Sequence, residues 1–322
     1  MANIVQWENN LTLSKPVAAI ACFLMAVFYV AVFYLPTTVL RLPPPVDYTH
    51  FLIRRFVCAS VSSVVSIITC ASLLQVRRFG VADIFAIFGI RLHHLWEALV
   101  VPLLLTSLVY TGSLSVKLLQ LFETYESSDY ASLSSIKGLI VKCLENISSN
   151  ASNVLAWRNY IIAPLTEEIV FRACMIPLLL CGCFGVQRTI FLCPVLFSLA
   201  HLNHWMEAYA RYNYSISKAC FAIGLQLGYT VIFGSYASFL FIRTGNLFSP
   251  LVAHIFCNYM GLPVFFSRRK GVLILSLFGC AAFLFLLIPM TKPELYNDIT
   301  TNCTCWQGFC SWSRKNICSV NI

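Results

Sequence analysis

Eight apolar runs, at about 16–35, 56–75, 94–112, 159–183, 189–207, 220–242, 247–266 and 271–290, dominate this chain of 322 residues. Roughly 20 apolar residues are enough to cross the hydrocarbon of a bilayer. No water is available there, so each segment must satisfy its own backbone N–H and C=O groups, which a helix does and an open sheet cannot. The pattern therefore predicts an all-α fold, a polytopic membrane bundle of about eight transmembrane helices. Composition agrees: 59% of the residues are hydrophobic and 11% charged, against about 25% charged in an ordinary soluble domain. The net charge of +9 resides mostly in short segments between apolar runs, as loop charge set by membrane topology does. It is not a nucleic-acid footprint, and no nucleic-acid-binding motif accompanies it.

The run 16–35 is long enough to span and lacks a small-residue cleavage site, so it reads as a retained first helix rather than a signal peptide. Residues 1–298 form one transmembrane domain, and 299–322 a polar tail holding Cys303, Cys305, Cys310 and Cys318. The cysteines within apolar runs read as small buried apolar residues. The longest loop, about 113–158, opens on Ser115 to Phe122, whose pattern suits a short interfacial helix. Loop charge favours a lumenal N-terminus by a small margin, which puts this loop in the cytosol.

The fourth run breaks its own hydropathy with Glu167, Glu168 and Arg172. On insertion scales a charge at mid-helix costs roughly 2.5–3.5 kcal/mol, so three within six residues need a reason. Glu168 and Arg172 stand at i, i+4 with the acid first, the favourable order for a pair on one face. Glu167 lies about 100° further round and is left as a carboxylate able to face a cavity. With the helix starting near Asn159, it sits roughly 12 Å deep at about 1.5 Å per residue. Pro164, just ahead, frees a backbone carbonyl in the first turns.

Two other apolar runs bring His201, and His254 with Asn258 at i, i+4. Alternating helix direction sets the start of the fourth run and the ends of the fifth and seventh on one membrane side. Glu167, His201 and Asn258 are then reachable from that side, with His254 about a turn deeper. Singly, each is a residue that interiors and interfaces often hold; together they suit activation of water and stabilisation of an oxyanion, hence acyl or peptide hydrolysis. Of the four aspartates, Asp47, Asp83, Asp129 and Asp298, none lies deep in a span, so an aspartyl dyad is excluded. The G-x-S-x-G and H-E-x-x-H motifs are missing. Glu167, His201 and His254 as Zn²⁺ ligands, or Cys257 as a nucleophile beside His254, stay open on these residues alone. A non-catalytic scaffold and a proton-coupled transporter are the rivals from other classes; no internal repeat of the transporter kind is visible.

The motifs E-E-x-x-x-R (Glu167 to Arg172), F-x-x-x-H (Phe197 to His201) and H-x-x-x-N (His254 to Asn258) resemble those of the type II CAAX prenyl endopeptidases, Ras-converting enzymes within the wider Abi membrane-protease family. The contexts Arg158 to Thr166, Phe239 to Gly245 and Cys257 to Gly261 resemble the eukaryotic branch, and the similarity spans roughly 15–297. This resemblance implies an eight-helix protease of the endoplasmic reticulum membrane, its site open to the cytosol. Such an enzyme removes the aaX tripeptide from prenylated CaaX proteins such as Ras-type small GTPases. It also implies that Glu167 acts as general base and His201 holds the water. His254 and Asn258 would bind the oxyanion, with Glu168 and Arg172 in support. A metal-free mechanism is expected, with zinc as the alternative. The cysteine-rich tail departs from the family pattern.

Overall fold

The structure, a computed structural model, describes residues 13–76, 81–126, 153–264 and 269–296. Arg77 and Arg78, the polar loop 127–152 and the tail with its four cysteines lie outside the described residues. Among the described residues there is no strand. The chain runs through α1 (Lys15–Ala31), α2 (Tyr48–Leu73), α3 (Val81–Ile87), α4 (Leu95–Val109) and α5 (Thr111–Glu126). It continues with α6 (Val154–Trp157), α7 (Ala163–Glu168), α8 (Met175–Cys181), α9 (Val186–Ala200), α10 (Trp205–Arg211), α11 (Ile216–Thr244), α12 (Phe248–Met260) and α13 (Lys270–Met290). The protein is thus an all-α polytopic membrane protein.

Local chemistry sets the boundaries. Asp47 caps α2 by accepting the backbone N–H of His50 at 2.7 Å. That N–H and the His50 ring hold its carboxyl below the usual range. α11 stops at Gly245, whose φ of 62° is the left-handed conformation that only glycine adopts without cost.

Among the described residues, four stretches are long and apolar enough to cross a membrane: Lys15–Thr38, Tyr48–Leu73, Ile216–Thr244 and Lys270–Met290. Leu95–Val109 and Thr111–Gln120 would add a fifth as one span, bent by 79°. The remaining apolar runs are helical but interrupted. The run 189–207 breaks at Ala200 into a 3₁₀ turn over His201–His204. α12, with 13 residues, covers only about 20 Å at about 1.5 Å per residue. The short helix expected from Ser115 is helical as part of α5, which starts earlier and runs to Glu126.

The run 159–183 departs most from a regular span. Two π-turns, Arg158–Ile162 and Ile169–Cys174, flank α7. The first follows from Pro164, which has no N–H to give. The Ala163 N–H reaches back to the Arg158 carbonyl, a five-residue step. Beyond it, the second π-turn and α8 form the centre of the protein. Val170, Phe171, Cys174, Met175, Ile176, Leu178 and Leu179 are fully buried, packed among Cys22, Met25 and Tyr29 of α1, Cys70 of α2, Cys193 and Phe197 of α9, and Phe241 and Ile242 of α11. A helix apolar on every side belongs in such a core. α13, with Phe278 and Phe285 exposed, presents the apolar outer surface expected of a span against lipid. Cys22, Cys58, Cys70, Cys174, Cys193 and Cys257 are buried and outside any disulfide, as small apolar residues in these runs should be.

Candidate active site

The buried end of the site is built on Glu168 and Arg172. Both are fully buried, and Arg172 Nη1 donates to Glu168 Oε1 at 3.0 Å, the one-face pair that the i, i+4 spacing calls for. Arg172 is held further by the Gly234 carbonyl, 3.4 Å from Nη2, and by Phe197, whose ring centroid lies 4.9 Å from Cζ. That places the first residue of F-x-x-x-H under the guanidinium, where a cation and a ring face attract. A bare glycine is required at 234: a Cβ there would meet Pro194 Cβ at 2.9 Å and Arg172 Nη2 at 3.2 Å.

His254 of α12 joins the pair from the other side. Its Nδ1 donates to Glu168 Oε1 at 2.7 Å, and its Nε2 stands 3.6 Å from Glu167 Oε2. One carboxylate oxygen therefore holds both Arg172 and His254, and the His254 ring bridges the two adjacent glutamates. Sequence reasoning treated Glu168 as satisfied by Arg172 alone and missed this second partner. Phe233, 5.0 Å from the ring centre, and Phe197, 6.4 Å away, pack against the imidazole.

Glu167 behaves as its helical angle indicates. Its side chain is 16% exposed and forms part of the wall of an open cleft with an empty volume of about 590 Å³, mouth included. Tyr29 of α1, Phe33 of the 3₁₀ turn Val32–Tyr34 that follows it, Arg55 of α2, Arg158 of the first π-turn, and Phe197 and His201 share that wall. His201 is half-buried at the end of α9. Its Nδ1 donates to the Phe197 carbonyl at 3.0 Å; because a carbonyl only accepts, Nδ1 carries a proton, and in the neutral ring Nε2 then carries the lone pair. The ring also packs edge-on against Phe197, with centroids 4.8 Å apart. Thr166, beside Glu167, donates to the Ile162 carbonyl at 2.8 Å and accepts from the Tyr29 hydroxyl at 3.1 Å, tying α7 to α1.

Asn258 is exposed, and its Nδ2 donates to the Asn159 carbonyl at 2.9 Å. The first π-turn explains why that carbonyl needs a partner. The N–H of Ala163 has gone to Arg158, and the next residue, Pro164, has none. Asn258 fills the gap, leaving its second amide hydrogen available. Glu167 and His201 line the cleft, whereas His254 lies behind Glu167 and Asn258 sits at the outer edge of the first π-turn. Tyr29, Arg55 and Arg158 were not among the candidates from sequence. The signal for Arg55 and Arg158 was present, as cations at the ends of apolar runs, but it is shared with ordinary interfacial anchors.

Two alternatives can be tested on the geometry. Cys257 turns away from the cleft into a cluster with Tyr110, Phe233 and Ala237, where it packs rather than faces Glu167. As for zinc, no group of three or more His, Cys, Asp or Glu among the described residues is arranged to hold a metal ion. His254 Nδ1 and His201 Nδ1 are committed to Glu168 and to a carbonyl, so only their Nε2 atoms could face a metal, and Glu167, His201 and His254 are not drawn together as a zinc triad in this arrangement. What they do fit is a carboxylate and an imidazole lone pair facing one cleft, with a second, carboxylate-anchored imidazole at its back. That set is capable of drawing a proton from water and holding the resulting charge.

Comparison with known proteins decides the family. Residues 149–260 match the family described as Type II CAAX prenyl endopeptidase Rce1-like. CAAX prenyl protease 2 of Arabidopsis thaliana is 52% identical over 305 residues, 94% of this chain and 98% of that protein. The chain belongs to the type II CAAX prenyl endopeptidase family. CAAX prenyl protease 2 of Homo sapiens is 35% identical over 292 residues, 88% of this chain and 84% of that protein, and that of Caenorhabditis elegans is 30% identical over 248 residues. No solved structure matches the chain. The stretches Glu167 to Arg172, Phe197 to His201 and His254 to Asn258 all fall within the matched residues 149–260.

Proposed function

We propose that the chain is an intramembrane endopeptidase that removes the aaX tripeptide from prenylated CaaX proteins, Ras-type small GTPases among them, at the endoplasmic reticulum membrane. Its cleft opens to the cytosol. Membership of the family supports the activity and the substrate class. The observation that carries the mechanism is the side chain of Glu167, in the cleft wall with His201 and 3.6 Å from His254 Nε2.

In this mechanism the Glu167 carboxylate takes a proton from a water oriented by the His201 Nε2 lone pair. The oxygen attacks the carbonyl carbon between the prenylated cysteine and the first a residue. Negative charge then develops on the carbonyl oxygen, for which His254, carrying a proton on Nε2, and the second amide hydrogen of Asn258 are the donors. Glu168 fixes the His254 ring through Nδ1–H, and Arg172 fixes Glu168. When the C–N bond breaks, the proton on Glu167 passes to the leaving amine, and the tripeptide departs with a free amino end. Each step is carried by these side chains and the water.

The prenyl group has its own physical role. An alkyl chain partitions into lipid at about 0.8 kcal/mol per buried CH₂, which brings the attached C-terminus to the membrane face. The experiment is to reconstitute the purified chain in vesicles and compare tripeptide release from farnesylated and unprenylated CaaX peptides. Release from the farnesylated peptide alone is expected; equal rates on both would contradict delivery by lipid.

A further inference from the structure

The cleft contains two cations that the chemistry above leaves unused, Arg55 of α2 and Arg158 of the first π-turn. Both are half-buried. The Arg55 guanidinium lies over the Phe33 ring, 4.3 Å from its centroid. Arg158 makes no ion pair among the described residues, and Glu167, in the same wall, pairs with His254 instead. A half-buried guanidinium in an apolar-walled cleft costs desolvation that an anionic ligand offsets. Guanidinium groups suit carboxylates above other anions of that size, because their N–H donors match two oxygens at once.

Spacing identifies the carboxylate. Arg158 precedes Glu167 by nine positions (158 to 167), which separates their Cα atoms by at most about 13 Å at about 1.5 Å per residue, and by less where the π-turn tightens the rise; both residues line the cleft. An extended peptide advances at most about 3.3–3.6 Å per residue, so three residues beyond a scissile carbonyl end roughly 10–11 Å away. With the scissile carbonyl at Glu167 and His201, the terminus of an aaX segment reaches the level of Arg158. It also stays near water, where its charge is least costly. We propose that Arg158, with Arg55 beside it, binds the α-carboxylate of the substrate's last residue and so fixes the cut three residues from the C-terminus. This rests on the endopeptidase function proposed above.

The test uses the full chain in vesicles and two farnesylated peptides that differ only in ending as a free acid or as a C-terminal amide. The quantity read is the ratio of kcat/KM for acid over amide within each protein, which is independent of how much of a variant folds. In the wild-type chain the acid should be favoured at least tenfold. Arg158→Gln and Arg55→Gln should each bring the ratio down toward one, and Arg158→Lys should retain part of the preference. A wild-type ratio near one, or an unchanged ratio in both glutamine variants, would overturn the assignment while leaving the endopeptidase function standing. Failure of the wild-type chain to cut either peptide would remove that function and the carboxylate site with it.

Discussion

His254 Nδ1 lies 2.7 Å from Glu168 Oε1, the same oxygen that Arg172 holds at 3.0 Å. A fully buried carboxylate is thus shared between the cation that neutralises it and the imidazole that it orients. Removing one partner of a buried ion pair costs about 3–5 kcal/mol, whereas replacing both with apolar groups of similar shape can be neutral. Glu168→Gln is therefore expected to lower the unfolding temperature and to free the His254 ring, reducing turnover. The double variant Glu168→Leu with Arg172→Met, in which both partners become apolar, should recover part of that stability but not turnover. Thermal unfolding in detergent, alongside tripeptide release, separates the two effects.

Gly234 has no room for a methyl group. A Cβ would press on Pro194 and on Arg172 Nη2, and the same residue's carbonyl accepts from that nitrogen. Gly234→Ala is expected to displace Arg172, with a loss of about 1–3 kcal/mol of stability from overpacking and reduced turnover. Gly224, with open space around it, is the control: Gly224→Ala should leave both close to wild type.

The bond from Asn258 to Asn159 exists because Pro164 cannot serve that carbonyl in the π-register. Asn258→Ala should cost about 0.5–1.5 kcal/mol, the usual net value of a hydrogen bond. In a Pro164→Ala background, where residue 164 regains an N–H, the same change should cost less. A double-mutant cycle on unfolding free energy measures the coupling, and strict additivity would contradict it.

Chelation and thiol chemistry probe the two alternatives that the geometry disfavours. Prolonged dialysis against a strong chelator should leave the reconstituted chain active, and Cys257→Ala should cleave at a rate near wild type, since the thiol packs with Tyr110 and Phe233. Stoichiometric zinc in active protein, with activity lost on its removal, would reverse the first expectation.

Helical class, the general positions of the apolar segments and the separation of Glu167 from the Glu168–Arg172 pair were all legible in sequence, because each depends on hydropathy or on the angular period of a helix. The break in the 159–183 run was only half legible. Pro164 announced a freed carbonyl, but which carbonyl is orphaned depends on the Ala163 N–H stepping back to Arg158, a register choice made by packing. The use of Asn258 to repair it follows from that choice and from the closeness of α12, which no spacing encodes. The His254 bond to Glu168 was hidden for a related reason: i, i+4 geometry offered Glu168 a complete local partner, and nothing local signals a second. The roles of Phe197 and Gly234 around Arg172 likewise arise only from contacts between α8's flanking turn, α9 and α11.

The most direct test concerns Glu167. Glu167→Gln keeps size and shape at the cleft wall while removing the base, and a positioned general base contributes typically 10²–10⁴-fold. The measurement is single-turnover release of the aaX tripeptide from a farnesylated peptide by reconstituted wild-type and Glu167→Gln chains of matched folded content. A fall of at least about 100-fold with substrate binding retained is expected; release at a rate near wild type would contradict the assignment of Glu167 as the base.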